Sequence, residues 1–153
     1  MFPFERLAQT VDTWTGSRGI KDVLIQIGNG QFKPRNAQWA TSLSPLAFQA
    51  AVQKCDLLVA HVGMGSLLAG MEAGKPMILL PRIKALGEHT TDHQIHTARW
   101  IGNRRGIWIA ADEVDMIRLL DDFLEGKIHG SPDNVSQYGS PELIDQVRHF
   151  IEM

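Results

Sequence analysis

Four short apolar runs, separated by stretches of helical spacing, constrain this chain more than any other feature. They are Val23-Leu24-Ile25-Gln26-Ile27, Leu57-Leu58-Val59-Ala60, Met77-Ile78-Leu79-Leu80 and Ile107-Trp108-Ile109. Runs this short, rich in β-branched residues and bounded by turn residues, read as strands rather than helices. They lack the polar alternation of a strand with one wet face, so both faces are expected to be buried. Strand alternating with helix implies an α/β domain with a parallel sheet covered on both sides. Ligands in such sheets bind beyond the carboxyl ends of the strands, near the topological switch.

The helices follow from apolar spacing and from caps. Phe4, Leu7, Ala8, Val11 and Trp14 predict a helix over 3–15, followed by a turn at 16–21. Ser44-Pro45 opens another, with serine as N-cap, proline first in the helix, and Leu46, Phe48, Ala51 and Val52 on its apolar face. Further helices are expected over 67–73, over 88–102, and from an Asp112 cap to Leu124. Residues 28–43 read as irregular, with a short strand near Trp39, and 126–141 as a surface loop. Leu143, Ile144, Val147, Phe150 and Ile151 predict a terminal amphipathic helix. The 153 residues suit one domain, with 1–125 as its body and 126–153 adding the loop and last helix.

The formal net charge of -2 provides no basic excess for a nucleic-acid backbone. Cys55 is the only cysteine, so no intrachain disulfide can form and a reducing cytoplasm fits. The first six residues lack the basic start and apolar core of a signal peptide. The longest apolar stretch, residues 77–81, is far too short to span a bilayer, so membrane attachment is expected only through a partner or a surface patch.

Two clusters carry chemistry. The first is His61-Val62-Gly63-Met64-Gly65-Ser66, between a strand and a helix. Glycines let the backbone turn sharply and approach a ligand. The following helix offers unpaired N–H groups and a positive dipole end, where a diphosphate fits with Ser66 as an added donor. The same residues also suit a plain tight connection. The cluster is neither a P-loop nor a full GxGxxG, because Leu68 stands where the third glycine belongs.

The second cluster is Pro81-Arg82-Ile83-Lys84, then Glu88-His89-Thr90-Thr91-Asp92-His93-Gln94. Arg82 and Lys84 follow a strand end, where positive charge can offset a diphosphate. His89 and His93 are four apart with Asp92 between them, so on a helix they share a face and suit sugar hydroxyls or a metal ion. A solvated helix start with Glu88 near the dipole is the alternative. The zincin pattern is excluded, because threonine follows His89. Trp14, Trp39, Trp100 and Trp108 are expected as core or interface anchors, Met64 and Met77 as packing, and Cys55 as a structural thiol.

In order along the chain, residues 55–66, Ala73-Gly74-Lys75-Pro76, Leu80-Pro81-Arg82 and Asp92-His93-Gln94 resemble the C-terminal domain of glycosyltransferase family 28. The chain resembles in particular the small stand-alone members of that family: bacterial exopolysaccharide subunits and the cytosolic half of a two-part N-acetylglucosaminyltransferase. The resemblance covers about residues 3–125. It implies a Rossmann-like GT-B half-domain that binds a UDP-sugar. It also implies a separate membrane-associated subunit of N-terminal type that holds a lipid-linked acceptor. Transfer would be inverting, without a bound metal or other cofactor. Gly63, Met64, Gly65 and Ser66 would face the diphosphate, and His93 and Gln94 the donor sugar or its phosphate. His89 and Asp92 join this donor-binding set, and His61 and Arg82 match further motif positions. The catalytic base is expected on the partner, with His61 the weaker candidate.

This sequence departs from the family pattern twice. The glutamate that binds ribose six residues after the first loop glycine is here Ala69, with Glu72 one turn further on as a substitute. Relatives also open with a strand and a Gly-Thr turn before the segment matching Pro3-Phe4-Glu5-Arg6, so the first, central strand is expected to be missing. Unpaired edges inside the sheet then predict low stability or self-association. These departures keep a second reading open, a degenerate donor domain that only docks a partner. A sugar-nucleotide epimerase would need both halves in one chain.

Overall fold

The computed structural model describes residues 3–102 and 104–132. The predicted terminal helix lies outside the described residues. Among the described residues the order is α1 (Glu5–Arg18), β1 (Leu24–Gln26), β2 (Gln38–Ala40), α2 (Pro45–Lys54), β3 (Leu58–His61), α3 (Met64–Glu72), β4 (Met77–Leu80), α4 (His93–Ile101), β5 (Ile107–Ile109) and α5 (Glu113–Leu124), with strand and helix alternating from β2 onward. All pairings are parallel; β3-β4-β5 are joined by helical crossovers, whereas the irregular residues 27–37 join β1 to β2.

β4 is the centre. Met77, Ile78, Leu79 and Leu80 are each 0% exposed. Their side chains alternate across the sheet. Ile78 and Leu80 meet Trp14 of α1 and Met116, Leu119 and Leu120 of α5. Met77 and Leu79 meet Leu67 of α3 and Ala98 and Ile101 of α4. Each of these four side chains contributes roughly 2 kcal/mol of burial.

The sheet is in two pieces, β2-β1 and β3-β4-β5. These match the 3-2 and 4-5-6 segments of the dinucleotide-fold strand order, and no described strand pairs across the position between them. α1 covers both pieces, because Ala8 and Val11 pack on Ile25 and Ile27 while Trp14 packs on β4.

Local chemistry sets the ends. α1 runs three residues further than the spacing predicts and stops at Gly19, whose φ of 66° is the left-handed cap. Ser44 Oγ accepts from Ala47 N and Asp112 Oδ1 from Asp115 N, capping α2 and α5 as expected. The predicted apolar face of α2 is buried only at Val52, and Leu46 is 79% exposed, because α2 packs chiefly on α3. Of the tryptophans, Trp14 and Trp108 join the core. Trp39 and Trp100 lie on the surface, beneath Lys33 and Arg104 respectively.

The helix expected over 88–102 begins only at His93. A 3-10 turn over Lys84–Leu86 ends at Gly87. Residues 88–92 stay irregular because their carboxylates bond elsewhere. Glu88 accepts from Arg6 and from Ile83 N, and Asp92 from Lys84 N.

Candidate functional site

The carboxyl ends of β3 and β4 bring the two sequence clusters together through one side chain. Gln94, in the first turn of α4, is 3% exposed. Its Oε1 accepts from Arg82 N just beyond β4, at 3.1 Å, and its Nε2 lies 3.3 Å from His61 Nδ1 at the end of β3. Burial first, then the charges of Arg82, His89 and His93, push the His61 imidazole down to about 4.

The loop after β3 is not a turn over 63–66. Gly63 is the N-cap and α3 starts at Met64. Gly63 and Gly65 are absent from the positive-φ glycines, so conformational freedom is not why they are glycines. At Gly63 the reason is space. A Cβ there would overlap the His61 ring at Cε1 and stand 3.2 Å from Nε2. Gly65 faces open space. Gly63 offers no side-chain cap, and the first N–H bonded within the helix is that of Leu67. Met64, Gly65 and Ser66 therefore present their N–H groups, and the positive end of the dipole, beside the His61 ring.

α4 starts in a similar way, since the Asp92 carboxylate turns away from its own helix to Lys84 N. His89 does not share a helical face with His93, because it precedes α4. Their rings still meet edge to face at 4.5 Å, and Thr91 Oγ1 bonds His93 Nδ1. Among the described residues no three His, Cys, Asp or Glu side chains group as a metal site.

Arg82 is placed differently from expectation. It is 6% exposed, donates from Nη1 to the carbonyls of Pro3 and Glu88, and stacks 4.8 Å from the Phe4 ring centroid. It acts on the corner through its field while holding the loop after β4. Glu88 is not on a solvated helix start. It is buried in an ion pair with Arg6, which also donates to Pro81 O and Glu113. Sequence reasoning missed that pair as part of the site. The only signal was the position of Glu5-Arg6 inside the family-like opening segment.

Glu72 is the last residue of α3, exposed, and about 12 Å of helix rise from the first turn. The structure does not bring it to the Gly63–Ser66 corner. Two hollows among the described residues also lie elsewhere: about 660 Å³ between α1 and residues 31–36, and about 470 Å³, mostly apolar, beneath α4.

A parallel sheet, helices on both faces, and helix N-termini converging past β3 and β4 define a half-domain of the GT-B class. The solved structure titled "Crystal Structure Analysis of the Glycotransferase of kitacinnamycin" shares this fold, with a TM-score of 0.51, at 17% identity over 76% of this chain and 30% of that one. The chain belongs to glycosyltransferase family 28: the model of the family's C-terminal domain matches residues 2–120. Among curated proteins it is similar to the "UDP-N-acetylglucosamine transferase subunit ALG13" of Homo sapiens, 29% identical over 89 residues, and of Mus musculus, 26% over 78 residues. These alignments cover 52% and 48% of this chain but only 8% and 7% of the relatives' own length.

Proposed function

We propose that this chain binds a UDP-sugar at the α3 corner and serves as the donor-binding subunit of an inverting hexosyltransferase. The observation that carries the reading is the uncapped N-terminus of α3 beside His61, in a family 28 domain. N–H groups of Met64, Gly65 and Ser66 are preorganised for a diphosphate and gain most as negative charge grows on the departing UDP. His93 opens α4, close enough for its charge to act on His61, and on this reading it faces the donor sugar or its phosphate. An acceptor hydroxyl attacks the anomeric carbon, its bond to UDP breaks, and the proton leaves to a base supplied by a partner. That partner is a membrane-associated, acceptor-binding subunit of N-terminal type, holding a lipid-linked glycan in bacterial exopolysaccharide or related synthesis. The place of action is the cytoplasmic face of the membrane. No helix among the described residues is long and apolar enough to cross it. On this reading the helix N-terminus takes the charge of the departing diphosphate in place of a bound metal.

Calorimetric titration with UDP and UDP-sugars tests this, alone and with a co-expressed membrane subunit. Binding that weakens in Gly65→Asp supports it; no binding to any of them under either condition refutes it. A second reading has one observation in its favour. Ala69 cannot reach a ribose, and Glu72 sits at the far end of α3. On that reading the chain docks its partner without binding donor, and the co-expressed pair would turn over no UDP-sugar.

A further inference from the structure

We propose that Gln94 is a positioning residue that locks His61 as its Nε2–H tautomer, making His61 a fixed hydrogen-bond donor at the α3 corner rather than a base. The argument begins with a group whose role is not in question. The backbone N–H of Arg82 only donates, so the Gln94 atom 3.1 Å from it is the carbonyl oxygen Oε1. The other end of the carboxamide is then the NH2 group, a donor only, and it faces His61 Nδ1 at 3.3 Å. Nδ1 must accept. In a neutral imidazole the proton is then on Nε2.

Two further observations fit. The depressed proton affinity of His61, from burial and from Arg82, His89 and His93, keeps the ring neutral. Its Nε2 makes no hydrogen bond among the described residues and is not a buried unpaired atom, so it reaches solvent. The ring lies against the Gly63 N-cap, so this N–H joins those of Met64, Gly65 and Ser66. These N–H groups suit an anionic oxygen, and with Nδ1 occupied by Gln94 and the proton on Nε2, His61 has no free lone pair for general-base work. The part about the ligand rests on the donor-site reading; the tautomer does not.

The test is long-range ¹H–¹⁵N spectroscopy of the full chain labelled at histidine, with His61 assigned by the signal lost in His61→Asn. At neutral pH without ligand, His61 should show a protonated Nε2 and an unprotonated Nδ1. A protonated Nδ1, or fast exchange between both forms, overturns the proposal. Gln94→Glu places a carboxylate oxygen against Nδ1 and should move the proton there or give an imidazolium. Gln94→Ala should give a mixture of tautomers while the other histidine signals stay in place. An unchanged His61 spectrum in both variants also overturns it. With UDP added, the Nε2–H signal should shift, and Gln94→Ala should weaken UDP binding by about tenfold, the scale of one misaligned hydrogen bond. Weakened binding with an unaltered tautomer would make Gln94 a direct ligand contact, against the proposal. Should UDP fail to bind at all, the donor-site reading falls while the ligand-free spectrum still decides the tautomer.

Discussion

Arg6 and Glu88, 82 positions apart, meet in a two-bond ion pair, Nε to Oε1 at 2.7 Å and Nη2 to Oε2 at 2.8 Å. Glu88 also takes Ile83 N, and Arg6 also reaches Pro81 O, so the pair clamps the loop after β4 onto α1. The two side chains are 12% and 9% exposed. Removing one partner leaves the other charge with little water, which costs about 3 kcal/mol. Arg6→Ala should therefore lower the urea midpoint by that equivalent and weaken UDP binding through the released loop. Arg6→Lys should recover only part, because an ammonium cannot span both oxygens. Urea unfolding of the three proteins checks this. Wild-type stability in Arg6→Ala would show that the pair holds nothing.

Gly65 separates folding from binding. It has no neighbour within reach of a Cβ and no left-handed backbone, so an aspartate fits there without strain. In the first turn of α3 a carboxylate complements the dipole, a gain of about 0.5 kcal/mol. It also occupies the N–H groups and repels a diphosphate. Gly65→Asp should keep or slightly raise the melting temperature while UDP affinity falls at least about tenfold. Equal affinity in variant and wild type would move the diphosphate away from this corner.

How much of this was legible in the residues follows from how local each determinant is. The strands over 77–80 and 107–109 lie where the sequence places them, because a short apolar run between turn residues depends only on its own neighbours. The caps of α2 and α5 were legible for the same reason. The start of α4 was not. Glu88 read as a helix-start residue and Asp92 as lying within the same helix, yet their carboxylates bond to Arg6, Ile83 N and Lys84 N, none of which a helical window contains. The motifs correctly place both clusters after strands. That His61 and Gln94 touch follows from β3 lying beside β4, which is a property of the sheet order. The reason for Gly63 was legible only in three dimensions, where the His61 ring fills the space of its Cβ.

His61 gives the folded state a pH dependence whose sign can be worked out. Its imidazole is pushed from 6.5 to about 4 by burial and then by Arg82, His89 and His93. The unfolded chain therefore takes up this proton first as pH falls. The stability linked to His61 is complete above about 6.5 and is lost as pH drops toward about 4. Asp12, Asp115 and Asp121, held below their ordinary 3.8, contribute stability that is complete above that value and is lost only at lower pH, outside this window. Urea midpoints at neutral pH and at about pH 5 should differ in the wild type and differ less in His61→Asn. An identical drop in both proteins would assign the effect elsewhere.

The two-part sheet carries the last prediction. Among the described residues β1 pairs only with β2, and β3 only with β4, so each keeps one edge of unpaired N–H and C=O groups. Leu24 in β1 is 48% exposed, and every residue of β3 is half-buried while β4 beside it is closed off. Such edges pair with whatever strand is available, and a second copy of the same chain becomes available as its concentration rises. α1 holds the two pieces from one face only and cannot block an approaching edge. The sedimentation coefficient should therefore rise with protein concentration, and thermal unfolding should be broad or should end in aggregation. Leu24→Lys puts a charge on the β1 edge and should delay the rise without unfolding the domain, since that side chain is already half in water. A monomer across the whole concentration range, melting in one sharp reversible step, would mean that the edges are satisfied within the chain itself.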